Sequence, residues 1–439
     1  MVQEQLGSAR RGGWCVGLAA ARNVNSASAK LGIEVEKTLV KDLHELTTHC
    51  IRCGFCLESC PTYKVTGMET ESPRGRIYLV RSAIEGKLSW QDDVRPHIDL
   101  CLGCRACETA CPSGVEYGSI VELARDQLET QSPRRIQTTM LNVVTNPSLM
   151  RLQVALSRFV PGERIPALIS RMLTPEKPQT QKPAPLPRPK LAPLIDSNLP
   201  PVRGKVIMLD GCVMRVLYDP VNEITRRLLR RIGFEVEPID LGCCGALHAH
   251  NGQLDAARKL AFELQKKASG ALPIVVNSAG CGSTLKEYSH LDPALESIAT
   301  RVFDASEFLC NHGMVEALQG SKGLPGAVAT YHDACHLAHG QGIREEPRAL
   351  IAAIPGLTLV PLEEPDTCCG SAGIYNVVQP TMARTLLERK YQHIEDTGAK
   401  IVATGNPGCH GWIAQAAREH GRKIEVVHTL ELLERSFSG

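Results

Sequence analysis

Two cysteine-rich stretches dominate this sequence: residues 50–61 read CIRCGFCLESCP, and residues 101–112 read CLGCRACETACP. Both have the spacing C-x2-C-x2-C-x3-C-P, so the same motif occurs twice in register. In this pattern three thiolates of one loop bind a [4Fe-4S] cluster, and the fourth thiolate comes from the other loop. The pair of motifs therefore predicts two [4Fe-4S] clusters in one domain.

The crossed pattern assigns four cysteines to each cluster. Cluster 1 takes Cys50, Cys53, Cys56 and Cys111, and cluster 2 takes Cys101, Cys104, Cys107 and Cys60. Structural zinc is the alternative, because zinc also binds C-x2-C pairs. Zinc gives no reason for the third cysteine of each stretch or for its terminal Cys-Pro, so we interpret both stretches as iron-sulfur sites.

The residues around these stretches have helical patterns. Residues 73–76, Pro-Arg-Gly-Arg, begin an apolar segment that Gly86 ends, and residues 120–128 form another helix. We therefore expect a mostly helical, two-cluster ferredoxin-like domain at 41–145, preceded by a tail at 1–40 that is disordered in part.

Composition excludes several classes of function. The 439 residues have a net charge of +2 and 4% aromatic residues, which argues against nucleic-acid binding. Sixteen of the 18 cysteines lie in metal-type clusters, which indicates a reducing, cytoplasmic compartment. No run approaches the ~20 apolar residues of a membrane span, so we expect any membrane association to be peripheral or through partners.

Residues 146–201 are predicted to connect two parts of the chain. The segment 152–173 has apolar residues at helical spacing with arginines between them, which suits either a membrane surface or packing against a core, and we favour packing. Nine prolines follow between 175 and 201. Such a composition predicts a stiff, extended tether that separates the ferredoxin-like part from the rest.

The remaining residues form an internal repeat, with one half at 202–325 and the other at 326–439. Strand patterns occur in matching order at 205–209, 235–239 and 273–277, and at 327–331, 357–361 and 401–404. Helical patterns alternate with them, which predicts a largely parallel sheet in each half. The fold class is thus multidomain α+β, with two pseudo-symmetric α/β subdomains after the helical domain.

Each half has its own cysteines at the carboxyl ends of the predicted strands, where open α/β sheets build their sites. These cysteines are Cys212, Cys243, Cys244 and Cys281 in the first half, and Cys335, Cys368, Cys369 and Cys409 in the second. Buried structural thiols are the alternative. Because a Cys-Cys-Gly turn recurs in both halves, we predict a metal or redox role; whether each half holds one further iron-sulfur cluster stays open.

Other side chains near the cysteines are weaker candidates. Arg74 and Arg76 could offset cluster charge, and Tyr63 and Phe55 could shield a cluster. Five histidines near the cysteines of the two α/β halves could bind metal or relay protons, but ordinary hydrogen-bonded histidines are the default interpretation. They are His248, His250, His332, His336 and His339.

Common cofactor and catalytic fingerprints are missing from the sequence. It contains no G-x-G-x-x-G after a strand, no Walker motif, no nucleophile elbow and no H-E-x-x-H. We therefore expect no flavin or nicotinamide on this chain, which would carry electrons that another polypeptide extracts from substrate, with no catalytic residue of its own.

The motifs resemble those of the iron-sulfur subunits of bacterial glycolate oxidase over residues 43–434. The resemblance rests on CGFC at 53–56, CPTY at 60–63, PRGRIY at 73–78, CLGC at 101–104, CPSGV at 111–115, GCCGA at 242–246 and CCGSAG at 368–373. The iron-sulfur subunits of heterodisulfide reductase, lactate-utilisation and anaerobic glycerol-3-phosphate dehydrogenase enzymes are similar in the C-terminal part and are the alternatives.

The resemblance implies an oxidoreductase complex. An FAD-containing catalytic subunit and a second flavoprotein-like subunit would be the partners, oxidising glycolate to glyoxylate, and this chain would pass electrons toward the quinone pool at the inner face of the cell membrane. One departure concerns heterodisulfide reductase, whose repeat ends in C-x-x-C, whereas Thr284 and Trp412 stand three residues after Cys281 and Cys409. Disulfide-reducing catalysis at the Cys-Cys-Gly halves is thereby disfavoured, although it remains the alternative.

Overall fold

A computed structural model describes residues 42–157, 159, 180–182, 184–189, 191, 193–194, 199–421 and 423–438. From Leu43 onward the chain forms one compact unit. The tail at 1–40 and most of the amphipathic segment at 152–173 lie outside the described residues.

The first part of the chain is helical, as predicted. Residues 42–48 are helical, and further helices span Pro61–Thr66, Pro73–Ile84, Trp90–Val94, Arg95–Leu100, Ala106–Thr109, Tyr117–Gln131, Arg135–Thr145 and Pro147–Ser157, with one short helical turn at Glu69–Glu71. The predicted Pro73 helix begins at Ser72, whose side chain accepts a hydrogen bond from the Gly75 N–H. Its apolar face packs on that of Tyr117–Gln131 to form the core between the two cysteine loops.

The first α/β half contains four strands: β1 Gly204–Leu209, β2 Phe234–Glu237, β3 Ile274–Val276 and β4 Val302–Asp304. Its helices span Cys212–Leu217, Asp219–Arg231, Ala246–Ala249, Leu254–Lys267, Ala279–Lys286, Tyr288–Leu291, Glu296–Ala299, Ala305–Asn311 and Met314–Gln319, with a turn at Pro293–Leu295.

The second half repeats this plan with β5 Val328–Tyr331, β6 Thr358–Val360, β7 Ile401–Thr404 and β8 Glu425–His428. Its helices span Cys335–Ala338, Glu345–Ala352, Tyr375–Val378, Pro380–Asp396, Pro407–Glu419 and Thr429–Ser438.

The two sheets have the same topology. Their strand orders are β2-β1-β3-β4 and β6-β5-β7-β8, and every pairing is parallel. The predicted parallel sheets are therefore confirmed. The strands β4 and β8 are not among those that the sequence predicts.

The two halves share one core. Apolar side chains of the helices Asp219–Arg231 and Thr429–Ser438 pack between the sheets. Within this core Glu434 is buried and accepts hydrogen bonds from Arg227 and Arg231. A carboxylate buried with two guanidinium partners is satisfied, and it fixes how the halves meet.

The described residues of the proline-rich linker do not keep the two parts of the protein separate. Its Leu186 N–H donates to the Leu217 carbonyl at 2.7 Å, and Leu186 and Leu191 pack against the shared core. The ferredoxin-like part also contacts both halves directly, for example where Tyr375 Oη donates to the Leu100 carbonyl at 2.9 Å. Apolar burial at this junction explains the difference from the predicted tether.

A search of the described helices for one with the length and hydrophobicity of a membrane span finds none.

Candidate iron-sulfur and metal centres

Cys50, Cys53, Cys56 and Cys111 surround one cavity in the ferredoxin-like part, which we call cavity A. The first three belong to the loop before Pro61–Thr66, in which Gly54 adopts a φ of +90°. Cys111 arrives from the second cysteine stretch, 51 residues after Cys60. This positive φ favours glycine, and a Cβ on Gly54 would also lie 2.8 Å from Arg74 Nη1.

Cys60, Cys101, Cys104 and Cys107 surround a second cavity, cavity B, and all four are buried. Cys107 and Tyr117 line both cavities. The tertiary structure thus brings the last cysteine of each stretch to the other stretch. The two sets of four are the ones that the crossed pattern predicts.

Arg76 is a cation in the wall of cavity B. It is fully buried, its Nη1 lies 4.0 Å from Cys60 Sγ, and its Nη2 donates to Glu71 at 2.8 Å. Burial opposes the charge of this guanidinium, yet the acidic groups around it, Cys101 among them, raise the pKa of Arg76. A permanent positive charge therefore faces the four thiols.

Cys101 is the thiol of cavity B that is most readily ionised. Burial works against its thiolate, but Arg76 and Arg125, the Gly103 N–H at 3.4 Å and Tyr117 Oη at 3.6 Å together lower the pKa of Cys101. Burial raises the pKa of Cys104 and Cys107 well above the ordinary value. A bound metal must supply the charge that keeps these two as thiolates.

The four side chains predicted to surround the clusters differ in position. Arg76 lies in cavity B, as described, whereas Arg74 is paired with Glu69 at the surface of cavity A. Phe55 is 68% exposed and so does not shield a cluster. Tyr63 lines neither cavity. Tyr117, which lines both, was missed because no local motif marks an aromatic residue that arrives from the next helix.

In the first α/β half the four cysteines converge at the carboxyl ends of β1, β2 and β3. Cys243 Sγ lies 3.5 Å from Cys212 Sγ and accepts from the Gly245 N–H at the same distance. Hydrogen bonds from Cys212 and Cys244 lower the pKa of Cys243 well below its ordinary value. The hydrogen bonds that Cys244 donates to Cys243 and Cys281 raise the pKa of Cys244, so all four thiols are in contact.

The second half has the same convergence and one further donor. Cys335 contacts Cys368, which contacts Cys369, which contacts Cys409. Cys409 also accepts from Asn406 Nδ2 at 3.6 Å. A ring nitrogen of His332 and the sulfurs of Cys369 and Cys409 lie within 4.8 Å of one another.

Two of the other candidate histidines have ordinary hydrogen bonds. His248 contacts Gln253 and Thr145, and His339 contacts Thr109 and the Asp366 carbonyl. Both rings are satisfied on both nitrogens, as the default interpretation expected.

His250 and His336 each have one bonded nitrogen, which contacts Glu122 and the Gly103 carbonyl respectively. Their rings lie 4.7 Å apart. Both histidines therefore lie where the ferredoxin-like part meets the two halves.

Cavity B adjoins the cysteines of the second half. Burial raises the pKa of Cys104, and repulsion by the nearby Cys335 raises it further. Cys104 shares an apolar core with Cys335, Cys368 and Cys409. The second-half set therefore lies next to cavity B.

The residues of both cavities fit [4Fe-4S] clusters. Cavity A is lined by five thiols, Cys107 among them, and cavity B by four. Both have arginine in their walls and backbone N–H groups near sulfur. Such N–H donors and cations stabilise an anionic, thiolate-ligated cluster.

Comparison with known proteins agrees with this geometry. Residues 47–115 match the family described as a 4Fe-4S dicluster domain, and residues 206–286 and 329–414 match the family described as a cysteine-rich domain. The probable glycolate oxidase iron-sulfur subunit of Bacillus subtilis (strain 168) is 34% identical, covering 88% of this chain and 93% of that protein. The chain belongs to the family of glycolate oxidase iron-sulfur subunits.

Other members and relatives extend the comparison. The glycolate oxidase iron-sulfur subunit of Escherichia coli (strain K12) is 32% identical over 88% of this chain and 93% of its own length. A fumarate reductase (CoM/CoB) subunit from Methanothermobacter marburgensis is 34% identical over 89% of this chain and 72% of that protein. The chain is thus an iron-sulfur protein whose glycolate oxidase relatives are subunits of an oxidoreductase.

A solved structure shows the same fold. A hypothetical protein from Helicobacter pylori aligns with a TM-score of 0.52 at 7% identity, over 92% of this chain and 77% of that one.

Proposed function

We propose that this chain is the electron-transfer subunit of a glycolate or related 2-hydroxy-acid oxidase complex. An FAD-containing catalytic subunit would oxidise glycolate to glyoxylate, and a second flavoprotein-like subunit would complete the complex. This chain would relay the electrons toward the quinone pool, at the inner face of the cell membrane. A relay is supported above all by the continuous series of thiol sites that runs from cavity A through cavity B to the second-half cysteines.

The lining of the two cavities supports the proposed ligands. Cluster 1 would be held in cavity A by Cys50, Cys53, Cys56 and Cys111, and cluster 2 in cavity B by Cys60, Cys101, Cys104 and Cys107. The cysteine sets of the two halves are further metal sites. The domains that carry these sites are 41–145, 202–325 and 326–439.

The chain's own residues position and insulate the relay. Bound [4Fe-4S] clusters would supply one-electron carriers for electrons that the partner flavoprotein takes from substrate. Arg76, Tyr117 and the Gly103 N–H neutralise and hold the thiolates of cavity B. Burial of the Cys104 and Cys107 side chains keeps water away from the step between cavity B and the second half.

Low-temperature EPR with and without the partner tests this function. We expect glycolate to reduce the iron-sulfur centres of the full chain only when the flavoprotein subunits are present. Cys101→Ser should abolish electron transfer to an added dye. Cys310→Ser is the matched control, because Cys310 belongs to none of the sets described above. Glycolate-dependent dye reduction by the isolated chain would contradict the proposal and favour catalysis at the Cys-Cys-Gly halves.

A further inference from the structure

The second half contains a histidine, His332, with one ring nitrogen that lacks a hydrogen-bond partner among the described residues. His332 directly follows β5 and is fully buried. Its Nδ1 lies 3.1 Å from the Pro365 carbonyl oxygen, and its Nε2 is buried with no hydrogen-bond partner among the described residues. A buried acceptor left unpaired costs about 1–3 kcal/mol, so such an atom calls for a ligand.

The hydrogen bond to Pro365 fixes which nitrogen is available. A carbonyl oxygen only accepts, so Nδ1 carries the proton and donates it. Nε2 therefore has a free lone pair, and a ring nitrogen of His332 lies within 4.8 Å of the sulfurs of Cys369 and Cys409.

The first half has no such nitrogen at the equivalent position. Sheet register pairs Tyr331 with Ala403 in the second half and Met208 with Val275 in the first. Cys409 and Cys281 follow Ala403 and Val275 by the same six residues. His332 therefore occupies the position of Leu209, which is 1% exposed and lies in an apolar core.

A second buried leucine of the first half also has a polar residue at the matching position of the second half. The helices Leu254–Lys267 and Pro380–Asp396 pack on the Cys-Cys-Gly turns through Ala257 and Ala383. Seven residues further along, Leu264 stands in the first half and Lys390 in the second. Lys390 is 1% exposed, donates to the Glu364 carbonyl, and interacts electrostatically with Cys369. The second half has thus gained an imidazole and a cation beside its thiols.

We propose that His332, Cys369 and Cys409 bind one transition-metal atom through an imidazole nitrogen and two thiolate sulfurs. Metal–nitrogen bonds of about 2.0 Å and metal–sulfur bonds of about 2.3 Å place tetrahedral donors about 3.5–3.8 Å apart, within the observed limit. Zinc and iron both prefer such donors. Lys390 balances the negative charge of the thiolates. The inference rests on the assignment of the second-half cysteines as a metal site, and it makes the two halves chemically different.

Spectroscopy of the full chain, purified anaerobically with ¹⁵N-labelled histidine, tests the nitrogen ligand. Iron, zinc and sulfide are first quantified. Pulsed EPR then detects nitrogen coupling if the centre contains iron, and X-ray absorption at the zinc edge detects a nitrogen scatterer if it contains zinc. Wild type is compared with His332→Leu, which reproduces the first half, and with Leu209→Met as the matched control.

We expect the nitrogen signal in wild type and Leu209→Met but not in His332→Leu, which should lose metal to a chelator at least about tenfold faster. His332→Cys should retain the metal without the nitrogen signal, which separates ligand loss from misfolding. An unchanged nitrogen signal and metal retention in His332→Leu would overturn the histidine assignment alone. Unchanged metal content in a Cys369→Ser/Cys409→Ser double variant would overturn the second-half metal site itself, while leaving clusters 1 and 2 untouched.

Discussion

Arg76 illustrates how one side chain sets the electrostatics of a centre. It is a buried cation in the wall of cavity B, and its Nη1 is 4.0 Å from Cys60 Sγ. A positive charge about 6 Å from an added electron, at an effective dielectric constant of about 20, has an interaction energy with it of about 3 kcal/mol. This corresponds to a change in reduction potential on the order of 100 mV.

We therefore predict that Arg76→Met lowers the reduction potential of cluster 2 by roughly 100 mV, measured by EPR-monitored redox titration. Arg76→Lys keeps the charge and should stay close to wild type. Arg74→Gln is the control, because Arg74 is paired with Glu69 at the surface, where the effect is screened. Equal shifts in Arg74→Gln and Arg76→Met would contradict this account.

His428 makes folding sensitive to acid. Its Nε2 donates to the Asn277 carbonyl at 3.0 Å and its Nδ1 accepts from the Leu430 N–H at 3.3 Å, so the neutral ring is satisfied. Burial lowers the pKa of His428 to about 3. The unfolded chain takes up this proton near pH 6.5, so the stabilisation is complete above that pH and is lost as the pH falls toward 3.

Because of His428, lowering the pH from 7 to 5 should reduce the free energy of unfolding of the wild type by about 2 kcal/mol. His428→Gln removes the titration, so the stability difference between the two proteins should shrink by that amount on acidification. Chemical denaturation at both pH values measures it. A pH-independent difference would show that His428 does not titrate on unfolding.

At the level of elements, the Cys-Cys-Gly turns depend on close packing against a helix. Gly370 has a φ of +88°, and a Cβ there would lie 2.5 Å from the Ala383 carbonyl oxygen. Gly245 is similar, with a φ of +80°, but its Cβ would lie 3.1 Å from Ala257. The second turn therefore has less room than the first for a side chain in place of its glycine.

We expect Gly370→Ala to destabilise the protein by about 2–5 kcal/mol, from backbone strain and overpacking together, and more than Gly245→Ala. Gly398→Ala is the control for strain alone, at about 1–2 kcal/mol, because its φ is +68° and nothing lies within 4 Å of its Cβ position. Anaerobic urea unfolding gives the three values. Similar values for Gly370→Ala and Gly398→Ala would mean that the helix moves freely away from the turn.

At the scale of the whole molecule, the ferredoxin-like part and the two halves form one unit. Arg105 pairs with Glu287, Arg125 donates to the His250 carbonyl at 2.6 Å, and Tyr375 donates to Leu100. Apolar residues of the cavity B loop share a core with the second half. The junction, rather than the linker, holds the parts together.

Cleavage of the linker at a protease site inserted between residues 189 and 193 should therefore leave the two fragments associated. Size-exclusion chromatography should show a single species of unchanged size, also at 1 M salt, because apolar contacts resist screening. The uncut protein at the same salt concentration is the control. Separation of the fragments would mean that the junction is too weak to hold cavity B against the second half.

The local chemistry and the repeat can be inferred from the amino-acid sequence alone. Regular spacing marks the eight ferredoxin-type cysteines, and the recurring Cys-Cys-Gly turns with alternating strand and helix patterns mark two parallel α/β halves, because these signals depend on residues close together in the chain. The three-dimensional fold was needed to show that cavity B adjoins Cys335, that the linker packs on the halves, and that His332, whose Nε2 has no partner among the described residues, lies beside Cys369 and Cys409. These contacts join residues that are tens to hundreds of positions apart, and burial of apolar surface, which no local pattern encodes, brings them together.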